Sequence, residues 1–323
     1  MQYSQATAMN DRKGQIVFLA GAGRTGGTLI ANLLSESAGL FSAGELLRIW
    51  DPVTLVDRQC GCGTRLLDCP VWSEIFHQAF GDIRKINFDR MRQQRENVGR
   101  TRSLPALLLG RQSRGTQALS GDAKEYFDVM HSLYRAISTV TKCQVIVDSS
   151  RIPSHGVLLR QFDDYKVTAI HLLRDARAVA FSFRRTESPQ MPGVRLPQPP
   201  QALEKSAITW SVQNLAAEWL LWRVEGGYLR LRYEDFIARP SDTIQMIHDR
   251  FLMWPLTSKA FVNEHEVRLG PHHTISGNVN RHKTGNITLR ADDEWKTKMS
   301  RASRARVMLM AWPLMLHYGY LSG

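Results

Sequence analysis

Apolar residues follow two rhythms along this chain. Short runs rich in β-branched residues alternate with longer stretches in which apolar side chains return every three or four positions. The first run, Gln15-Ile16-Val17-Phe18-Leu19-Ala20, predicts a buried strand. A glycine-rich turn follows, and then Leu29, Ile30, Leu33 and Leu34 at helical spacing. A second buried strand is expected at Cys143 to Asp148, and further strands at Lys166 to Leu173 and Gly227 to Leu231. A shorter strand-like run starts at Leu40 and leads to Gly44 and Glu45, where a helix begins. Between Asp122 and Thr141, the residues Phe127, Met130, Tyr134 and Ile137 make one apolar helix face, read as core. Ile208, Val212, Leu215, Trp219 and Trp222 line a second long helix and are also read as core. In a C-terminal helix, Val307, Met308, Ala311, Leu314, Met315 and Tyr318 are expected to pack inside. Four parallel-type strands alternating with helices predict an α/β fold of three layers, α/β/α, around a central parallel sheet.

Breaks in the pattern set the organisation. Residues 1–14 are polar and expected to be disordered, leaving 15–323 as a single domain. Five prolines between 187 and 200 predict a loop, a possible cover for an acceptor site. No apolar stretch approaches a signal-peptide core or a membrane span, so a cytoplasmic protein without a membrane partner is expected.

Charge narrows the ligand class. The formal net charge is +12 and the sequence pI about 9.8, which favours anions. From Arg84 to Arg114 there are nine Lys/Arg against Asp89 and Glu96, a local +7. No helix-turn-helix, zinc-finger or aromatic stacking pattern accompanies that charge, so nucleic acid is not the expected partner. An RNA- or nucleotide-binding module stays open as an alternative.

Gly21-Ala22-Gly23-Arg24-Thr25-Gly26-Gly27-Thr28 admits three readings. Strand, glycine turn and helix together aim backbone N–H groups and a helix N-terminus at an anion. As a Walker loop the stretch has Gly27 where the phosphate-reaching lysine belongs, which counts against ATP or GTP. A P-loop kinase-like enzyme that has lost its lysine remains a rival. As a dinucleotide fingerprint, Gly21, Gly23 and Gly26 give a weak G-x-G-x-x-G match. The third reading uses the Arg24 fork with the backbone N–H groups to hold a single phosphate.

Two more strand ends carry chemistry. Asp148-Ser149-Ser150-Arg151 closes one strand, at the edge where open α/β sheets bind ligands. Arg174-Asp175 closes another, with Asp175 as helix cap and Ser182 two turns further on. Cys60, Cys62 and Cys69 cluster in sequence, but C-x-C spacing and three cysteines fall short of a four-ligand zinc site. Cys143 or His77 would be the available fourth ligand; the expectation is no metal, the segment being a turn with small buried thiols.

Taken in order, these motifs resemble the PAPS-dependent sulfotransferases of bacteria, where PAPS is 3′-phosphoadenosine 5′-phosphosulfate. Arg24-Thr25-Gly26-Gly27-Thr28-Leu29 is similar to their 5′-phosphosulfate loop, usually Arg-Ser-Gly-Thr-Thr-Leu, and Arg174 with Ser182 is similar to their 3′-phosphate motif. Gly44-Glu45-Leu46 and Arg232-Tyr233-Glu234-Asp235-Phe236 resemble further family segments. So does Ser276-Gly277-Asn278 with Arg281 and Lys283, which would return to the nucleotide phosphates. Arg151 stands where the family often has lysine. The resemblance implies the P-loop type of sheet, PAPS as co-substrate with no metal, and sulfuryl transfer to a hydroxyl or amine that releases 3′,5′-ADP. It implies Arg24 and Glu45 as catalytic residues, with Glu45 as general base; His155, His171 and His273 are the rivals for that role. A small molecule, a glycan or a peptide are all open as acceptor, and so is the oligomeric state.

Overall fold

A computed structural model of the chain describes residues 13–99, 121–185, 187–188, 191–195, 200–252 and 260–321. Its centre is a five-stranded sheet. Strand β1 (Gly14–Ala20) runs into helix α1 (Gly27–Ser35), and β2 (Leu40–Gly44) follows. Helices α2 (Pro70–Phe80) and α3 (Asp122–Thr141) lead to β3 (Val145–Arg151) and then α4 (Pro153–Leu159). Next come β4 (Tyr165–Leu173), α5 (Ala176–Arg184), the long helix α6 (Leu203–Leu221) and β5 (Tyr228–Arg232), and α7 (Arg301–His317) closes the described chain. The strand order is β2-β3-β1-β4-β5, and every pairing is parallel. Four of these strands are the expected ones. The fifth, β2, is the short strand-like run that ends in Gly44, and it pairs at the sheet edge with β3 (Phe41 beside Ile146).

The layers follow from alternation along β1. Ile16, Phe18 and Ala20 point into a cluster with Tyr134, Ile137, Val157, Leu158 and Leu221, on the side of α3, α4 and α6. Val17 and Leu19 point the other way, onto Ile30, Leu33 and Leu34 of α1 and Ile244 and Ile247 of the helix Pro240–Phe251. A sheet buried on both faces accounts for the near-continuous apolar strands. Among the described residues no helix is long and apolar enough to cross a membrane.

Three sequence expectations change. On α6, the stripe Ile208, Val212, Leu215, Trp219, Trp222 faces solvent, with Trp219 63% exposed. The buried face carries Leu203, Ala207, Trp210, Asn214, Ala217 and Leu221. Asn214 and Trp210 explain the choice, because they bond into the sheet's functional edge: Asn214 Oδ1 accepts from Ala22 N at 3.3 Å, and Trp210 Nε1 donates to Arg174 O at 2.9 Å. On α7, Val307, Ala311, Met315 and the following Tyr318 are buried, but Met308 is exposed. In the proline-rich stretch, Glu187–Ser188 and Met191–Arg195 pair as a short antiparallel ribbon, where an edge strand tolerates Pro192; residues 189–190 and 196–199 lie outside the described residues.

Candidate active site

The turn between β1 and α1 is built from unusual backbone. Gly26 is the N-cap of α1 at φ 85°, a left-handed conformation in which a side chain would be strained. Thr25 is buried and its hydroxyl donates to Ala22 O at 3.1 Å, which closes the turn. Arg24 itself has φ 67°, and so does Arg151 at the end of β3. Non-glycine residues rarely occupy this region, and such strain is concentrated at functional sites.

The two strained arginines belong to one group. Burial pushes the Arg24 guanidinium below its ordinary range, and the positive charges of Arg151, Arg185 and Arg174 add to that, with Glu45 opposing. The Phe183 ring lies against Arg24, 5.4 Å from ring centre to guanidinium carbon. Arg174 is buried; its Nη1 donates to Arg24 O at 3.1 Å and its Nη2 to Asp292 O at 2.8 Å, over the ring of Tyr233. Arg185 meets Asp292 in a two-pronged pair at 2.8 Å and 2.8 Å. Burial would raise the Asp292 carboxyl, but Arg185 and Arg174 outweigh it and hold the group below the usual carboxylate range. Asp175 caps α5 as expected, accepting from Arg177 N at 2.8 Å, and Ser182 is buried in that helix.

Glu45 faces this cluster from the end of β2. Its Oε2 accepts from Arg48 Nε at 2.6 Å, and its Oε1 accepts from Arg151 Nη2. Each carboxylate oxygen keeps a second lone pair, so the pairs orient the group without exhausting it. The turn carrying Glu45 is held from two sides. Leu47 N donates to Ser150 Oγ at 3.1 Å, and Ser150 in turn donates to buried Asp148. Glu45 N donates to Ser276 O at 3.1 Å. Gly44, at φ 81°, permits that approach: a Cβ there would stand 2.5 Å from Ser276 O.

The Ser276-Gly277-Asn278 segment therefore joins the site, and Asn278 N donates to Thr28 Oγ1 at 3.2 Å on the first turn of α1. Arg281 bonds Gly277 O at 3.1 Å and Gln59 O at 3.4 Å, while its buried Nε has no partner among the described residues. Burial and then Arg58 push its guanidinium down, with Glu45 opposing. Lys283 follows directly as the cap of the short helical turn Val279–His282.

The three histidines are committed elsewhere. His155 is buried against Asp148 and Tyr134, each at 3.1 Å. His171 bonds Tyr228 at 2.6 Å and Asn214 at 3.0 Å within the sheet layer. His273 turns toward the cysteines, with Nδ1 at 3.3 Å from Cys69 Sγ and 3.8 Å from Cys60 Sγ. Neither Cys143 nor His77 approaches that cluster: Cys143 precedes β3, and His77 bonds Gly81 O at the end of α2. Sequence reasoning missed the Arg151–Glu45 pair, Arg185 with Asp292, and His273 as neighbour of the thiols. Each joins residues more than 100 positions apart.

The described part of the basic stretch is largely paired. Arg90 meets Asp122 and Glu125, Arg92 meets Asp89, and Arg95 bonds Asp51 and Leu47 O beside the Glu45 turn. Residues 100–114 lie outside the described residues. A surface cavity of about 480 Å³ between β5, α7 and the helix Pro240–Phe251 shares none of the site residues above.

No protein-family model and no curated protein matches the sequence. Solved structures do. The sulfotransferase domain of the Synechococcus PCC 7002 olefin synthase aligns with a TM-score of 0.50 at 22% identity, over 94% of this chain and 96% of that one. The sulfotransferase domain from the curacin biosynthetic pathway aligns with a TM-score of 0.50 at 17% identity, over 94% and 98%. Likeness at this identity is one of fold, and it extends along nearly the whole chain.

Proposed function

We propose that this chain, whose fold is that of the sulfotransferases, is itself a PAPS-dependent sulfotransferase. The observation that carries the reading is the gathering of Arg24, Arg151, Arg174 and Arg185 at the β1–α1 turn, with Arg174 bonded to Arg24 O and Arg24 and Arg151 both in the left-handed region. Four arginines against the carboxylates of Glu45 and Asp292 leave a net positive turn at a helix N-terminus, which suits a polyanion. The buried, unpartnered Nε of Arg281 fits the same ligand.

In this reading Arg24, Thr25, Gly26, Gly27, Thr28 and Leu29 hold the 5′-phosphosulfate through backbone N–H groups and one guanidinium. Arg174 and Ser182 hold the 3′-phosphate, and Arg281 and Lys283 approach from the opposite loop. Glu45 takes the proton of the acceptor hydroxyl or amine as the acceptor–sulfur bond forms. The bond from sulfur to the bridging phosphate oxygen breaks in line, and 3′,5′-ADP leaves with the electron pair. Arg24 and Arg151 neutralise the charge that develops on the leaving phosphate, the part a divalent ion plays in phosphoryl transfer. The acceptor is a small molecule, a sugar or a peptide side chain.

The test is transfer of label from [³⁵S]PAPS into cell extract without added Mg²⁺. The reading expects labelled acceptor with the wild type and none with Arg24→Ala. Transfer of phosphate from ATP, or no transfer from PAPS to any fraction, would overturn it.

A further inference from the structure

Four metal-ligating side chains outside the arginine site stand together: Cys60, Cys62, Cys69 and His273, their ligand atoms all within 4.8 Å of one another. Cys62 Sγ to Cys69 Sγ is 3.9 Å, Cys69 Sγ to His273 Nδ1 is 3.3 Å, and Cys60 Sγ to His273 Nδ1 is 3.8 Å. A tetrahedral zinc ion with Zn–S of about 2.3 Å and Zn–N of about 2.05 Å requires S···S edges of about 3.8 Å and S···N edges of about 3.5 Å. These three separations lie within about 0.3 Å of those edges, and the remaining ones are within 4.8 Å. The cysteines are free, and 3.9 Å is far from the roughly 2 Å of a disulfide.

We propose that Cys60, Cys62, Cys69 and His273 bind one structural Zn²⁺. Three thiolates and one imidazole nitrogen make a closed, soft tetrahedral set, the type that selects zinc and leaves no position for substrate. The backbone is shaped around it. Cys60 N donates to Thr64 O at 2.8 Å and Gly63 N to Cys60 O at 2.9 Å, folding Cys60 and Cys62 onto one side of a tight turn. Gly61 lets that turn press against the partner segment, since a Cβ there would stand 2.7 Å from His272 O; Gly61 N donates to Thr274 O at 2.9 Å. Trp72 Nε1, on α2, donates to His273 O at 2.5 Å and fixes the backbone of the fourth ligand.

The ion would staple two segments 213 residues apart, next to the site. Directly after His273, Ile275 N donates to Ala43 O at 3.0 Å and Glu45 N to Ser276 O at 3.1 Å. Zinc at this position anchors the segment that buttresses Glu45 and carries Arg281. The site stands independently of which donor nucleotide the arginines bind.

The experiment is elemental analysis of the full chain, purified with no added metal or chelator, followed by exchange of zinc for Co²⁺. The expected result is about one zinc per chain. Its release should be stoichiometric when the thiols are modified, and the Co²⁺ form should show the intense thiolate charge-transfer and d–d bands of a tetrahedral site. Cys62→Ser, at the most exposed of the three cysteines, should weaken zinc by more than the roughly 10–100-fold typical of altering a group around a ligand. If that variant fails to fold, the Co²⁺ spectrum of the wild type still decides. Less than about one-tenth of a metal per chain, with Zn²⁺ giving no thermal shift, would overturn the proposal. A Cys62–Cys69 disulfide in the native mass would do the same, as would an octahedral Co²⁺ spectrum.

Discussion

Replacing Glu45 by glutamine separates chemistry from scaffolding. The amide keeps the size of the side chain and one accepting oxygen, but it sets an NH₂ against a guanidinium where Arg48 Nε now donates at 2.6 Å or Arg151 Nη2 donates to the other oxygen. One charge-assisted bond is lost, about 1.5–3 kcal/mol of stability. At about 2–4 °C per kcal/mol for a chain of this size, the melting temperature should fall by roughly 3–12 °C. Turnover should fall further: a positioned general base contributes about 10²–10⁴-fold, or roughly 3–5 kcal/mol of barrier. Affinity for 3′,5′-ADP should hold or rise, because the substitution removes the negative charge that offsets Arg24 and Arg281. Steady-state assays with PAPS and calorimetric titration of 3′,5′-ADP measure both. Arg48→Ala is the control, since it removes a partner of Oε2 and leaves the carboxylate in place. Turnover of Glu45→Gln within about tenfold of wild type would refute the base assignment. So would a loss of turnover matched by an equal loss of 3′,5′-ADP affinity, the mark of a residue that only builds the pocket.

Arg174→Ala should weaken 3′,5′-ADP at least about tenfold while leaving 5′-AMP unchanged, since one charge-assisted contact is worth about 1.5–3 kcal/mol. Equal weakening of both nucleotides in a titration would place Arg174 away from the 3′-phosphate. Burial pushes His171 down to about 4, against the Asn214 bond and the Glu218 charge that raise it and with Arg230 lowering it further. The native ring thus stays neutral while the unfolded chain takes up a proton near 6.5, so stability is full above that pH and falls toward pH 4, by at most about 3 kcal/mol. Urea unfolding from pH 7 to 4.5 should show a smaller fall for His171→Gln than for wild type, and equal falls would contradict the assignment. Trp219→Ala should change stability by less than about 0.5 kcal/mol, because the side chain is 63% exposed. A loss near the roughly 3–5 kcal/mol of a buried tryptophan would return that stripe to the core.

What was legible in the sequence was local. β1, β3 and β4 are readable because burial on both faces demands uninterrupted apolar runs, β5 from its short alternating run at the sheet edge, and the Asp175 cap because its partner lies two residues away. Gly26 and Arg24 were legible as a turn for the same reason. The face of α6 was not, because apolar side chains occupy both of its sides; long-range bonds from Asn214 and Trp210 decide which one is buried. Nor did spacing reveal that Arg151, placed where a lysine was expected, would pair with Glu45 106 positions away. From sequence His273 reads as a rival base; its place beside three thiols rests on contacts of Gly61 and Trp72 with the 272–274 backbone, which spacing does not show.

Isothermal titration with 3′,5′-ADP, 5′-AMP, ATP and NAD tests the central claim most directly. The crowd of arginines, with no lysine at Gly27, predicts one 3′,5′-ADP per chain, bound at least about tenfold more tightly than 5′-AMP and more tightly than ATP or NAD. ATP or NAD binding as tightly as 3′,5′-ADP, or no binding of 3′,5′-ADP at all, would contradict it.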